Sequence, residues 1–235
     1  MFAALTFAIV SHSSVVQGLD DALHGWAVGH RPSWSVSLAR VVTWGGATAI
    51  VLPALVVVGA IGLRRGRPVR ERLMAGVVLA TTAAAGVYVG LLVNSWVGRA
   101  RPPLSEWAGA AGGPSFPSGH TAAATIFALC SAWDVTARTG PGRSRTIVWM
   151  CAVVWALTVG WSRVWLGVHW PSDVVGGLLY AVAWCALALA ALQSVARRVA
   201  ERKSRTITGV VPAQSSPGGT RTVTLGSSPT SRSST

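Results

Sequence analysis

Five apolar runs constrain the fold of this chain more strongly than any other feature of its sequence. They cover residues 41–63, 73–93, 121–135, 147–161 and 174–195. A transmembrane helix needs about 20 predominantly apolar residues, and these runs reach or approach that length. Only 11% of the 235 residues are charged, whereas typical soluble domains carry about 25%. The pattern therefore predicts an all-α integral membrane protein.

A sixth run, residues 2–19, is weaker because polar residues interrupt it at positions 11–14. It lacks the basic start and the clear small-residue cleavage site of a signal peptide, so we interpret it as a first membrane helix. The sequence thus predicts a six-helix bundle within residues 1–203. Residues 204–235 are rich in Ser, Thr, Gly and Pro and have no apolar periodicity. This last segment is predicted to be a disordered tail.

The formal net charge of +13 comes almost entirely from arginine. A nucleic-acid-binding protein can be equally basic, but here the arginines form short clusters between apolar runs, which is typical of membrane proteins. The clusters lie in residues 64–72, 137–145 and 197–203. With six helices and a cytoplasmic N-terminus, all three lie on the cytoplasmic side, and so does the tail. Nucleic acid is therefore not an expected partner.

The loops predicted to face the periplasm or the cell exterior carry most of the unusual polar groups. These loops are residues 20–40, 94–120 and 162–173. The candidate functional residues in them are Asn94, Arg99, Arg101, Ser118, Gly119, His120, Arg163, His169 and Asp173. In this topology the candidates lie at one depth and on one side of the membrane, so they can form a single site.

The sequence PSGH, residues 117–120, precedes a helical run. The first backbone N–H groups of a helix have no partner within the helix and form a natural anion site. Gly119 permits the close approach of a phosphate, and Ser118 adds a hydroxyl donor. Arg101 and Arg163 supply planar guanidinium groups that match phosphate oxygens. This combination predicts a site for a phosphate or another oxyanion.

His169 and Asp173 are four residues apart, and Pro171 between them is well placed to start a helix. The carboxylate can hydrogen-bond one ring nitrogen of His169 and leave the other free to attack a substrate. Histidine can also act as a general acid and base near neutral pH, which makes His120 a second candidate. Two histidines and an aspartate could instead bind a metal, but the nearby arginines would repel a cation. An oxyanion site fits the charges better.

These residues resemble the motifs of the type 2 phosphatidic acid phosphatases, membrane relatives of the vanadium haloperoxidases. The family has three motifs, K-x-x-x-x-x-x-R-P, P-S-G-H and S-R-x-x-x-x-x-H-x-x-x-D. The second is intact at residues 117–120 and the third at residues 162–173. The order, the spacing and the six-helix setting also agree, and the resemblance covers residues 41–195.

The first motif departs from the family pattern. Arg101 and Pro102 match it, but Asn94 stands where the family has lysine. Residues seven apart share one face of a helix, so the lysine position is expected above Arg101. Asn94 can donate a hydrogen bond but brings no charge. Arg99 is a candidate to supply the missing charge from the loop, and both residues are further candidates for phosphate binding.

The resemblance implies a role for each residue that matches a motif. His169 is implied as the nucleophile that takes the phosphoryl group, and Asp173 orients it. His120 is implied as the acid that protonates the leaving oxygen and then as the base that activates water. The phosphate oxygens would be held by Arg101, Arg163, Ser118 and the backbone N–H of Gly119. Neither a metal nor a cofactor is implied.

The resemblance implies an integral-membrane lipid phosphatase. Its substrate would be phosphatidic acid, phosphatidylglycerol phosphate or a polyprenyl diphosphate, and a site on the outer face of a bacterial membrane favours polyprenyl diphosphate recycling. One alternative is a phosphotransferase that passes the phosphoryl group to an alcohol. Another, prompted by Asn94, is a lipid-phosphate carrier or binding protein without turnover. In each case the expected partners are the bilayer and a lipid phosphate.

Overall fold

The structure, a computed structural model, describes residues 1–61, 68–137 and 141–208. These residues form eight α-helices and two 3₁₀ turns, Trp44–Gly46 and Leu104–Glu106, and contain no strand. The all-α prediction is thereby confirmed. The α-helices are α1 Phe2–Val10, α2 Ser14–Gly29, α3 Ser33–Thr43, α4 Thr48–Ile61, α5 Val69–Val97, α6 Gly119–Thr136, α7 Arg143–Trp165 and α8 Pro171–Thr208.

Residues Met1–Leu192 form one compact unit, and a second unit begins at Gln193. Helix α8 continues to Thr208, which is five residues into the segment predicted to be a tail. The remainder of that segment, residues 209–235, lies outside the described residues. Two of the three basic clusters also fall partly outside them.

Three described helices are long and apolar enough to cross a membrane, namely Val69–Val97, Arg143–Trp165 and the Pro171–Val195 part of α8. If each of two bent helix pairs counts as one span, the number rises to five. The predicted count of six is therefore not confirmed. The run at residues 121–135 does form a helix, α6, but ten of its 18 residues are buried. Because neighbouring helices enclose it, α6 is rich in small Ala and Thr residues rather than in large apolar ones.

The predicted first membrane helix, residues 2–19, is not continuous. Helices α1 and α2 meet at an angle of 93°, and the break falls where the polar residues interrupt the run. His12 adopts a left-handed conformation there, with φ of 54°, which ends a helix. Helix α2 then continues to Gly29, so much of the segment predicted to be the first outer loop is helical.

The run at residues 41–63 also bends. Helix α3, the 3₁₀ turn Trp44–Gly46 and α4 make a pair bent by 57°. The turn packs against the start of α6, where a Cβ on Gly46 would overlap the carbonyl oxygen of His120. Glycine is therefore required for this close approach, which brings α3 and α4 next to the PSGH motif.

Helices α4, α5, α6 and α8 share one hydrophobic core. Small side chains on α6 allow the surrounding helices to approach closely. The buried members of this cluster are Val51, Leu55, Leu79, Ala83, Ala123, Ile126, Ala181 and Cys185. At the other end of α5, Gly98 ends the helix with φ of 63° and donates its N–H to the carbonyl of Asn94 at 3.0 Å. The chain thereby turns into the loop that carries the first motif.

Candidate active site

His169 and Asp173 lie at the junction of α7 and α8 and are almost completely buried, with exposed fractions of 2% and 0%. Helix α8 begins at Pro171, as predicted. His169 Nδ1 lies 3.3 Å from Asp173 Oδ2, and the backbone N–H of Trp170 donates to the same oxygen at 2.9 Å. The carboxylate is thus fixed by the backbone with one oxygen facing the ring of His169.

Arg101 determines which ring nitrogen of His169 carries the proton. Arg101 Nη1 lies 2.9 Å from His169 Nε2. A guanidinium group only donates hydrogen bonds, so Nε2 accepts and Nδ1 holds the proton that faces Asp173. Burial lowers the pKa of His169 to about 4, although its hydrogen bond with Asp173 acts in the opposite direction. At neutral pH the imidazole is therefore uncharged and Nε2 keeps its lone pair.

The PSGH motif forms the start of α6, as predicted. Ser118 is the N-cap residue, and its Oγ accepts a bond from Thr121 Oγ1 at 2.9 Å and a longer one from the Thr121 N–H at 3.5 Å. The backbone N–H of Ser118 donates to the carbonyl of Asp173 at 3.0 Å. Ser118 is fully buried and lies behind Gly119 and His120, which reach the cavity described below.

Arg163 projects from the last turn of α7 and is also buried, with an exposed fraction of 2%. Its Nη1 donates to Thr43 Oγ1 at 2.8 Å, and Nη2 approaches the carbonyl of Ala110 at 3.4 Å. Its Nε has no hydrogen-bond partner among the described residues. A buried donor without a partner is unfavourable, and an anionic oxygen would satisfy it.

A cavity of about 260 Å³ brings most of the predicted site residues together. Val87, Gly90 and Leu91 of α5 give one wall an apolar character. A second cavity, of about 690 Å³, shares His120 and Arg163 with the first and has Arg40, Trp44 and Trp107 in its wall. The predicted residues that line the first cavity are Asn94, Arg101, Gly119, His120, Arg163 and His169.

Arg101 is held by backbone carbonyls of the loop that precedes PSGH. Nε donates to Gly113 at 2.9 Å, and Nη2 donates to Gly112 and Pro114 at 2.9 and 3.0 Å. Nη1 also donates to Val168 at 2.7 Å. The guanidinium group thus joins this loop to the segment that carries His169.

Asn94 lines the cavity, but not for the reason expected from the sequence. Helix α5 ends at Val97, so Arg101 does not lie on the same helical face as Asn94. Instead the Asn94 Nδ2 donates to the loop carbonyls of Pro114, Phe116 and Pro117 at 3.0, 3.1 and 3.4 Å. Asn94 and Arg101 meet because both bind the Pro114 carbonyl.

Arg99 does not line the cavity that holds Arg101 and His169. Its Nη1 donates to Asp173 Oδ1 and its Nη2 to Asp20 Oδ2, both at 2.7 Å. Sequence reasoning missed Asp20, which it placed in an outer loop. The available signal was an acidic residue in a chain with only seven Asp and Glu residues.

In the part of the chain that the structure describes, no group of three or more His, Cys, Asp or Glu side chains is arranged to hold a metal ion. The polar residues that converge on the cavity are instead histidines, arginines and an asparagine.

The fold and this site define a class: a helical membrane protein with two histidines and two arginines around one cavity and an aspartate behind one of the histidines. The chain belongs to the PAP2 superfamily, whose family model matches residues 74–197. This membership confirms the family resemblance drawn from the motifs. Together with the phosphatase relatives named below, it confirms the expected class of enzyme, a lipid phosphatase.

The similar proteins match between 43% and 83% of this chain. Phosphatidylglycerophosphatase B of Bacillus subtilis is 31% identical over 174 residues, which is 74% of this chain and 83% of that protein. Undecaprenyl-diphosphatase BcrC of Bacillus subtilis is 30% identical over 105 residues, 43% of this chain and 49% of that protein. The crystal structure of a transmembrane PAP2-type phosphatidylglycerolphosphate phosphatase from Bacillus subtilis matches with a TM-score of 0.72 and 27% identity, over 83% of this chain and 93% of that one.

Proposed function

We propose that this chain hydrolyses a phosphomonoester or diphosphate of a membrane lipid through a phosphohistidine at His169. One observation carries the proposal. His169 Nδ1 faces the Asp173 carboxylate, while Nε2 faces Arg101 on the wall of the cavity that His120 and Arg163 also line. An oriented imidazole beside two cationic groups suits attack on a phosphate once the Arg101 hydrogen bond moves from the Nε2 lone pair to the substrate.

In the first step, His169 Nε2 attacks phosphorus and the bond to the leaving oxygen breaks. His120, which the anionic substrate phosphate favours in its protonated form, gives its proton to that oxygen, which leaves as a lipid alcohol or a lipid monophosphate. The ring of His169 becomes positively charged as the N–P bond forms. Asp173 Oδ2, 3.3 Å from Nδ1, stabilises that charge and holds the ring in place.

In the second step, neutral His120 takes a proton from water, and the resulting hydroxide attacks phosphorus. The N–P bond breaks, inorganic phosphate leaves, and both histidines return to their starting forms. Arg163, through its Nε, and the backbone N–H of Gly119 would hold the equatorial oxygens, and Ser118 would support this helix start. When substrate binds, Arg101 Nη1 would exchange its hydrogen bond to His169 Nε2 for one to a phosphate oxygen. Such positioning and charge neutralisation are the main contributions a protein makes to phosphoryl transfer.

The proposed arrangement in the membrane has six crossings: the two bent pairs, α5, α6, α7 and the apolar part of α8. The distribution of arginine supports a cytoplasmic N-terminus and tail and a cavity at the periplasmic or outer face. The apolar wall formed by Val87, Gly90 and Leu91 of α5 suits the hydrocarbon portion of a lipid. A site on the outer face favours a polyprenyl diphosphate as substrate. The similarity to phosphatidylglycerophosphatase B makes a glycerophospholipid monophosphate the second candidate substrate class.

Phosphate release from a purified, reconstituted protein tests this function. The substrates are undecaprenyl diphosphate, phosphatidylglycerol phosphate and phosphatidic acid, each given to the native chain and to His169→Ala. His30→Ala is the matched control, because His30 is an exposed histidine outside the cavity. We expect turnover by the native chain and His30→Ala and no turnover by His169→Ala. Binding without phosphate release would support a carrier, and phosphate transfer to added glycerol in place of release would support a phosphotransferase.

A further inference from the structure

We propose that Asp20 and Arg99 are positioning residues that hold Asp173 in the orientation His169 needs. This inference rests on the proposed role of His169 as nucleophile. Arg99 bridges two carboxylates, because Nη1 donates to Asp173 Oδ1 and Nη2 to Asp20 Oδ2, each at 2.7 Å. The two oxygens of Asp173 are thereby separated in function: Oδ1 is held by Arg99, and Oδ2 faces His169 and the Trp170 N–H.

Asp20 binds the start of α8 directly, although it belongs to α2. Its Oδ1 accepts from the backbone N–H of Ser172 at 2.8 Å, and its Oδ2 accepts from Ser172 Oγ at 2.6 Å. A carboxylate at a helix N-terminus satisfies an unpaired N–H and suits the positive end of the helix dipole. Ser172 also accepts a bond from Arg99 Nη1 at 2.7 Å. The first turn of α8, which contains Asp173, is thus fixed from two directions.

The network is buried and carries an unbalanced charge. Asp20 is 2% exposed, and the Arg99 side chain is 15% exposed. Arg99 also lies over the ring of Trp170, with its Cζ 5.8 Å from the centroid. Two carboxylates and one guanidinium leave one net negative charge beside His169. This charge is available to stabilise the imidazolium that forms when His169 is phosphorylated, while Arg99 keeps the two carboxylates from repelling each other.

Removing each partner has a different consequence. In Asp20→Asn the bridge loses one carboxylate, so Arg99 is drawn toward Asp173 and competes with His169 for it. In Arg99→Gln the carboxylates of Asp20 and Asp173 face each other without a cation, which favours protonation of one of them. The charged or titratable groups around this pair are Arg99 from the loop after α5, His169 from the α7–α8 junction and, beyond the His169 ring, Arg101. His12 and Asp21 line the same cleft as Asp20 and Arg99. Arg99→Gln therefore moves the acid limb of the pH–rate profile to higher pH.

The test compares Asp20→Asn, Arg99→Gln and Arg99→Lys with Asp21→Asn, which makes the same charge change at the adjacent exposed position. We expect kcat for phosphate release to fall about tenfold or more in Asp20→Asn and Arg99→Gln. The KM should change less than about twofold in each, since neither side chain lines the cavity that holds Arg101 and His169, and Asp21→Asn should match the native chain. Arg99→Lys should have a kcat between those of Arg99→Gln and the native chain. The double variant Asp20→Asn with Arg99→Gln should be no slower than Arg99→Gln alone, because the two residues act as one unit.

Two results would overturn the inference: a native kcat in Asp20→Asn, or a KM increase with unchanged kcat in Arg99→Gln. Thermal unfolding in detergent identifies a variant that has merely lost stability. If Arg99→Gln has lost stability, its pH–rate profile, recorded below its unfolding temperature, decides: an acid limb at the native pH contradicts the inference. Arg99→Lys, which keeps the positive charge, should show no such shift. The proposed function is tested separately, because a native chain that forms no phosphohistidine would refute that function whatever Asp20 does.

Discussion

The backbone N–H of Ser118 donates to the carbonyl oxygen of Asp173 at 3.0 Å. This bond joins the start of α6, with its PSGH motif, to the start of α8, with its His169–Asp173 pair. Because it involves only backbone atoms, it remains when the side chains of the site are changed. Conservative substitutions at the site should therefore alter chemistry without separating the two motifs.

Asp173→Asn is the first such substitution. The amide has the size of the carboxylate, so we expect the fold to be kept. Thermal stability should be lower than in the native chain, because the buried ion pair with Arg99 is lost. The amide also lacks the charge that stabilises a phosphorylated imidazolium. The kcat should fall by a factor of about 100 to 10,000, as for a triad carboxylate replaced by its amide. Initial rates of phosphate release measure this effect. A native rate in Asp173→Asn would remove Asp173 from the mechanism.

The pH dependence of His169 provides a second prediction. Burial lowers its pKa to about 4, whereas an ordinary histidine titrates near about 6.5. The neutral form is the nucleophile, so the competent state should persist as the pH falls from 8 to about 5 and disappear as it falls through about 4. Nitrogen NMR of histidine-labelled protein in nanodiscs, with His169→Gln to assign the signal, measures this titration directly. A midpoint near 6.5 would show that the ring is hydrated and not buried as described.

Asn94→Lys provides a third prediction. The two N–H donors of Asn94 Nδ2 are shared among three loop carbonyls, and a lysine ammonium group has three donors. The replacement can therefore keep the loop in place while adding a positive charge beside the phosphate. We expect the KM for the lipid phosphate to stay the same or decrease. Asn94→Leu is the control, because it removes the donors and should raise the KM. A large loss of activity in a well-folded Asn94→Lys would show that the amide itself has a specific role.

The sequence predicted those parts of the fold that depend on long, uninterrupted apolar runs. The runs at residues 73–93, 147–161 and 174–195 fall within α5, α7 and α8, and Pro171 starts α8 as expected. The two bends were not predicted, because their angles depend on packing against distant residues, such as that of Gly46 against His120. The sequence also did not predict that the segment from Asp20 to Gly29 is helical, because that too depends on packing against distant residues.

The candidate site shows the same division. The motif spacing predicted that His120, Arg163 and His169 share one site, because each lies at or beside the end of a helix. All three line the same cavity. The partners of Arg99 and Asn94 could not be predicted in this way. Asp20 is 152 positions from Ser172, and the Asn94 contacts depend on the path of an irregular loop. Neither relationship follows from local periodicity.

The proposed orientation predicts opposite labelling at two positions. In a variant with Cys130, Cys151 and Cys185 replaced by alanine, single cysteines are placed at Ser105 or Ser228. Ser105 is exposed in the loop that precedes PSGH, so Ser105→Cys should react with a membrane-impermeant thiol reagent on intact cells. Ser228→Cys, in the tail, should react only after the cells are opened. The reverse pattern would place the site in the cytoplasm and remove the argument for polyprenyl diphosphate as substrate.

The central claim is that His169 carries the phosphoryl group. The most direct measurement is to mix the reconstituted protein with a lipid radiolabelled at its terminal phosphate, quench the reaction rapidly in base, which preserves phosphohistidine, and map the label by peptide sequencing. The account predicts label at His169, no label in His169→Ala, and slower decay of the labelled enzyme in His120→Ala because water activation is lost. Label at His120 that persists in His169→Ala would contradict the account and reverse the roles of the two histidines.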